Sequence, residues 1–188
     1  MQRQEAIDIL ARSREGIVSV VTMQSVAPWH DAGQAEIDHI DATQCMGSAS
    51  SIALGIALAR PDRKVMVLDG DGSLLMQLGS LVTIAGAAPA NLYHFVFANG
   101  LHQSTGNQPL PAQGLLDWCA MATAAGYAKA VRIEQAEDLI EQLPGVWATP
   151  GPVLVELVIA REETAPRFPG VPMAGQVVAL KASLAAER

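Results

Sequence analysis

Val65-Met66-Val67-Leu68-Asp69-Gly70-Asp71-Gly72-Ser73 decides the architecture. Residues 65–68 are a continuous apolar, β-prone run, which marks a strand buried on both faces rather than a half-exposed one. The run breaks into a tight Gly-Asp-Gly-Ser turn, and a helix is predicted from about Leu74 to Ala85. Working outward, the same grammar repeats. Strands are predicted at Ile17–Val21, Leu92–Phe97, Ala128–Ile133 and Val153–Ile159. Between them lie helices at Glu5–Arg14, Gly47–Ala59, Asp117–Ala125 and Gln135–Leu143, with Asp117 as a cap and Gly126 as a stop. Alternating buried strands and helices imply an α/β fold, a doubly wound, mainly parallel sheet with helices on both faces. Ligands in such sheets sit beyond the carboxyl ends of strands. Three segments fall there: the long irregular stretch Thr22–Cys45, the turn after Leu68, and the polar loop Asn99–Gln113.

The rest of the chain narrows the function classes. Its 188 residues suit one domain, read as residues 1–160, followed by a Pro-containing arm and short helix over 161–188. A net charge of −7 without a Lys/Arg cluster argues against a nucleic-acid surface or a polybasic membrane patch. The longest apolar run, Ile52–Ala59, is far short of the roughly 20 residues a membrane span needs. The polar start, Gln2 to Glu5, is no apolar leader, and Cys45 and Cys119 form neither a disulfide framework nor a metal spacing. These features read as a cytoplasmic, soluble protein. Of the histidines, His30 and His39 read as solvent-facing loop residues and His94 as a structural strand residue.

Gly70-Asp71-Gly72-Ser73 carries the chemistry. Glycines let the backbone approach a phosphate, and the start of a helix offers free N–H groups. Asp71, however, would repel a bare phosphate. A divalent cation between the two resolves the conflict, because hard carboxylate and amide oxygens suit Mg²⁺. A dinucleotide fingerprint is excluded, since position 75 is Leu75 rather than glycine, and no Gly-Lys-Ser/Thr loop exists. A second oxygen ligand is expected at the end of a neighbouring strand, where Asn99 follows Phe97-Ala98, separated from Gly72 by 26 residues.

This arrangement resembles the diphosphate–metal motif of thiamin-diphosphate enzymes. The resemblance implies that Asp71, Asn99 and the main-chain carbonyl of Leu101 hold Mg²⁺, and that Gly70, Gly72 and Ser73 lie against the diphosphate. Many members have an Asn-Asn pair, of which the first is Ala98 here. Cys45-Met46-Gly47-Ser48-Ala49 is similar to the segment beneath the bent cofactor. Met46 would wedge under it, and the Gln44 carbonyl would accept from the pyrimidine amino group. Gln24 and Ser25, just past the first strand, are placed to touch the diphosphate. Downstream, His102-Gln103-Ser104-Thr105-Gly106-Asn107-Gln108 looks like the phosphonopyruvate and sulfopyruvate decarboxylases. His102 is the candidate catalytic residue, because imidazole is the side chain suited to proton transfer near neutral pH. Ser104 and Thr105 would offer hydroxyls to anionic oxygens or cap the next turn.

The family also uses a glutamate on the pyrimidine ring, carried by a separate domain of similar size. The sequence is filled by the diphosphate half, so a partner subunit bearing that Glu is expected, as in the two-subunit sulfopyruvate enzymes. The implied substrate is a small anionic 2-oxoacid, and homo- and hetero-oligomers are expected. An acetolactate-synthase-like carboligase and a non-catalytic cofactor-binding subunit are the alternatives. Positive charge for the substrate would come from the partner or from Arg161 and Arg167.

Overall fold

The strand begun at Val65 runs two residues past the predicted end and delivers Gly70 and Asp71 to the sheet's rim. In the computed structural model, residues 1–112, 114–162, 167, 169 and 172–186 are described; Gln113, named above, lies outside them. The elements in order are α1 (Arg3–Arg12), β1 (Val18–Val21), α2 (Val26–Asp31), β2 (His39–Asp41), α3 (Ala49–Ala59), β3 (Val65–Gly70), α4 (Asp71–Met76), α5 (Ser80–Ala87), β4 (Leu92–Ala98), β5 (Leu101–His102), β6 (Gln108–Pro109), α6 (Trp118–Ala125), β7 (Lys129–Ile133), α7 (Ala136–Ala148), β8 (Val153–Val158) and α8 (Met173–Ala186). Six strands form one sheet in the order β2-β1-β3-β4-β8-β7, and every pairing in it is parallel.

Alternate strand residues feed two cores, as a pleated sheet covered on both faces requires. Met66 and Leu68 pack with Ile7 and Leu10 of α1, Trp29 of α2 and Leu139 of α7. Val65 and Val67 pack with Ala53 and Ala57 of α3, Leu81 and Ile84 of α5, and Ala122 of α6. The small residues of α3 let it lie close on β1 and β3. Between β1 and β3 the winding changes direction: β1 is followed in sequence by its neighbour β2 on one side, while β3 leads to β4 on the other. The crevice that opens at such a switch point is where the site forms.

Four expectations are corrected. The stretch Thr22–Cys45 is not irregular throughout. It contains α2 and the edge strand β2, whose three residues were too few and too polar to show an alternating pattern. The single helix over 74–85 is two, α4 and α5, interrupted near Gly79, a poor helix former. His39 is 3% exposed in β2 rather than solvent-facing, and His30 is partly buried beside it. The C-terminal helix is no free arm either, since α8 places Leu180 in the second core and Gln176 against Asp41. His94 is, as expected, a strand residue without exposure, bonded to the equally buried Asp69 at 3.2 Å. No helix among the described residues is long and apolar enough to cross a membrane.

Candidate cofactor and metal site

The carboxyl ends of β1, β3 and β4 converge on one cleft. Its walls include Gln24, Ser25, Met46, Gly70, Asp71, Gly72, Ser73, Asn99, Leu101 and His102, together with Arg3 and Gln103. Every predicted site residue except Gln44 therefore meets there. Gln44 is exposed and outside these walls.

Asp71 is the first residue of α4 and only 2% exposed. Its two carboxylate oxygens accept from the Gly72 N–H at 2.8 Å and the Gly100 N–H at 2.7 Å. No cation among the described residues lies within ion-pair distance of it. Burial therefore dominates and pushes the Asp71 carboxyl up from its ordinary value, against the pull of those N–H groups and the more distant Arg3. Asn99 Oδ1 accepts from the Leu101 N–H at 2.9 Å, and its Nδ2 donates to Gln103 Oε1 at 2.8 Å. The Leu101 N–H requires an oxygen opposite it, which fixes the amide orientation. Asp71, Asn99 and the Leu101 carbonyl thus bring three hard oxygen donors to one cleft, a set suited to a divalent cation.

Two glycines carry the close approaches. A Cβ on Gly72 would lie 2.6 Å from His102 Nδ1 and 3.2 Å from the Leu101 carbonyl oxygen. Only glycine lets the β5 segment close over the turn. Gly47 has φ +83°, and its N–H donates to Ser73 Oγ at 3.0 Å, joining the segment before α3 to the turn. Gly70, by contrast, has open space where a side chain would start. On the opposite wall Met23 holds a left-handed φ of 50°, costly for a non-glycine residue. The next side chain, Gln24, keeps Nε2 buried with no hydrogen-bond partner among the described residues. An unpaired buried donor costs about 1–3 kcal/mol. An anionic oxygen in the cleft would satisfy it, so the residues present fit a metal-bound diphosphate.

Two residues escaped the sequence reading. Gln103 accepts at Oε1 from Arg3 Nη2 at 2.7 Å as well as from Asn99, while its Nε2 donates to the Glu162 carbonyl at 2.7 Å. Arg3 is 4% exposed and also donates from Nε to Glu162 Oε2 at 3.0 Å. Gln103 stood in view within the His102–Gln108 run, as its variable position. Arg3 gave no signal, because its partners lie some hundred residues away. Of the hydroxyls, Ser104 lines the cleft, whereas Thr105 is exposed and donates within its own turn to the His102 carbonyl at 3.3 Å. Arg161 Nε donates to the Asn99 carbonyl at 3.3 Å, and Arg167 pairs with Asp31.

The buried carboxyl makes a pH prediction. A group whose pKa is raised on folding contributes stability below its ordinary value, here 3.8, and that contribution is lost as pH climbs through the folded value. In metal-free buffer, the melting temperature of the native chain relative to Asp71→Asn should fall by a few degrees between pH 4 and pH 8. Calorimetry reads it. A constant difference, or one that grows with pH, contradicts the assignment.

Comparison with known proteins identifies the domain. Residues 21–157 match the family model described as thiamine pyrophosphate enzyme, C-terminal TPP binding domain. The chain is 46% identical over 121 residues to a phosphonopyruvate decarboxylase of Streptomyces hygroscopicus, covering 64% of this chain and 30% of the relative. It is 43% identical over 115 residues to the sulfopyruvate decarboxylase subunit beta of Methanothermobacter thermautotrophicus, covering 61% and 58%. These matches span less than two thirds of either relative. An X-ray structure described as a thiamin diphosphate-dependent enzyme from Mycobacterium smegmatis superposes with a TM-score of 0.71 over 86% of this chain and 32% of that one. At 19% identity it speaks for the fold. With the motif turn, the parallel sheet and the family match in agreement, the chain belongs to the thiamine pyrophosphate enzyme family, as its C-terminal TPP-binding domain.

Proposed function

We propose that this chain is the diphosphate-binding half-site of a thiamin-diphosphate-dependent 2-oxoacid decarboxylase of the sulfopyruvate or phosphonopyruvate type, a carboxy-lyase. The single observation that carries the reading is the convergence of Asp71, Asn99 and the Leu101 carbonyl in one cleft with the unpaired donor of Gln24. Mg²⁺ would be held by Asp71, Asn99 and Leu101. Gly70, Gly72 and Ser73 would line the diphosphate, with Gln24 and Ser25 opposite. Met46 would pack under the cofactor, and the exposed Gln44 would lie towards the pyrimidine side. The bound cofactor supplies the electron sink that loss of carbon dioxide from a 2-oxoacid requires.

This chain's own residues then divide the work. Gln103 and Arg3 hold the Asn99 amide so that its oxygen, not its nitrogen, serves the cation. His102 sits directly over Gly72, and its ring takes no hydrogen-bond partner among the described residues. It is therefore open to a substrate carboxylate or to a proton at Nδ1 or Nε2. The glutamate that addresses the pyrimidine ring is assigned to a partner subunit, a reading supported by the beta-subunit designation of the Methanothermobacter relative. Arg161 and the partner would supply positive charge for a small anionic substrate. A hetero-oligomer, which can also pair with itself, and a cytoplasmic setting complete the proposal.

Two measurements test it. Gln103→Leu removes one hydrogen bond from Asn99 and one from Arg3. Mg²⁺-dependent affinity for thiamin diphosphate should drop about tenfold or more by titration calorimetry, the scale of one net hydrogen bond near a charge. Unchanged affinity would show that the Asn99 amide needs no support. For the reaction, the chain mixed with a pyrimidine-domain subunit, Mg²⁺ and thiamin diphosphate should release carbon dioxide from sulfopyruvate or phosphonopyruvate. His102→Ala should cut that rate by roughly 10²-fold or more with little change in cofactor affinity. A condensed hydroxyketo acid as product would favour the carboligase, and cofactor binding without turnover on any 2-oxoacid would leave a binding subunit.

A further inference from the structure

Away from the cleft, three metal-ligating side chains meet at the edge of the sheet. His39 and Asp41 are two residues apart on β2, so their side chains leave the strand on the same side. His30 reaches them from α2. His30 Nε2 lies 2.8 Å from Asp41 Oδ2, and His39 Nε2 lies 2.7 Å from Asp41 Oδ1. The two imidazoles stand nearly perpendicular, at 84°, with centroids 5.6 Å apart. One ligating atom from each of the three residues falls within 4.8 Å of the others. We propose that His30, His39 and Asp41 form a structural site for a first-row transition-metal dication such as Zn²⁺, which fastens α2 and α8 to the edge strand.

The surroundings fit that role. Ligands of a tetrahedral Zn²⁺ stand about 3.3 Å apart, given metal–ligand bonds of about 2.0–2.1 Å. Each His–Asp contact would therefore lengthen by roughly half an ångström, and the two imidazoles, whose ligating atoms lie within 4.8 Å, would close on the ion. Metal binding at Nε2 requires the ring proton on Nδ1. For His39 that proton has an acceptor in Ser19 Oγ, 2.9 Å away. The Ser19 hydroxyl is then free to turn to the Asp38 carbonyl at 3.5 Å. Such outer partners are what orient metal-bound histidines. Asp41 is held by α8: Gln176 Nε2 donates to Asp41 Oδ2 at 2.8 Å, and Gln176 Oε1 accepts from the Asp41 N–H at 2.7 Å. His39 and Asp41 are almost fully buried, while the His30 side chain is 19% exposed and leaves a way in for the ion and a water ligand. Two imidazoles select Zn²⁺, Co²⁺ or Ni²⁺ over Mg²⁺, which prefers oxygen. The site is thus chemically distinct from the oxygen donors around Asp71. An ion here would also brace the cleft, because α2 begins immediately after Ser25.

Co²⁺ is the probe. The full chain, in excess Mg²⁺ to occupy oxygen sites, should take up one equivalent of Co²⁺ with the visible absorption of a four- or five-coordinate, histidine-bound ion. Zn²⁺ should bleach that absorption. Zn²⁺ at about a hundred times its dissociation constant should raise the melting temperature by about 5–10 °C. Both effects should vanish in His30→Gln, whose partly exposed position tolerates the change, and in Asp41→Asn, while Asp71→Asn retains them. Absence of the absorption in the native chain overturns the site. So does its survival in His30→Gln, or its loss in Asp71→Asn, which would assign the cobalt to the cleft.

Discussion

Asp71 is a carboxylate held at 2% exposure with no cation among the described residues within ion-pair distance. Burying a charge costs several kcal/mol unless a partner compensates, and two backbone N–H groups offset only part of that. The fold keeps this unfavourable group at the end of β3, in the first turn of α4, where it cannot retreat to water. Around it everything is arranged for close approach. Gly72 lacks a side chain because His102 and the Leu101 carbonyl occupy that space. Gly100 turns its N–H back onto the carboxylate. A divalent cation set between this carboxylate and an anion would offset that cost.

Topology supplies the second half. Because the winding reverses between β1 and β3, the segment after β1 and the turn after β3 face each other across a crevice instead of running alongside. Gln24, whose Nε2 has no partner among the described residues, stands on one wall, and Asp71 with Asn99 on the other. The termini lock this geometry: Arg3 from α1 and Glu162 beyond β8 both bond Gln103, which orients Asn99. The Asn99 amide is thereby tied to segments far apart in sequence.

How much of this was legible depended on how local the physics was. Val65–Leu68 and Val153–Ile159 announced themselves because strands buried on both faces are apolar at nearly every position, with Glu156 alone interrupting the second run. That Gly70-Asp71-Gly72 and Asn99 line one cleft was legible because they stand at strand ends, where a doubly wound sheet opens its crevice. Leu101 and His102 came from the family resemblance. β2 was missed because two of its three residues, His39 and Asp41, carry polar side chains satisfied by tertiary partners, so the apolar pattern is absent. His39 was misread for the same reason: its burial is offset by Asp41 and Ser19, not by apolar neighbours. Arg3, Gln103 and the docking of α8 through Gln176 are long-range hydrogen bonds, for which no local spacing stands as a sign.

The proposed function rests on a cation shared between this chain's oxygen donors and a diphosphate. Electron-nuclear double resonance on the chain with Mn²⁺ in place of Mg²⁺ and thiamin diphosphate addresses that directly. A shared cation gives ³¹P hyperfine coupling to the bound Mn²⁺, abolished by Asp71→Asn. Mn²⁺ bound without ³¹P coupling, or coupling that persists in Asp71→Asn, would contradict it.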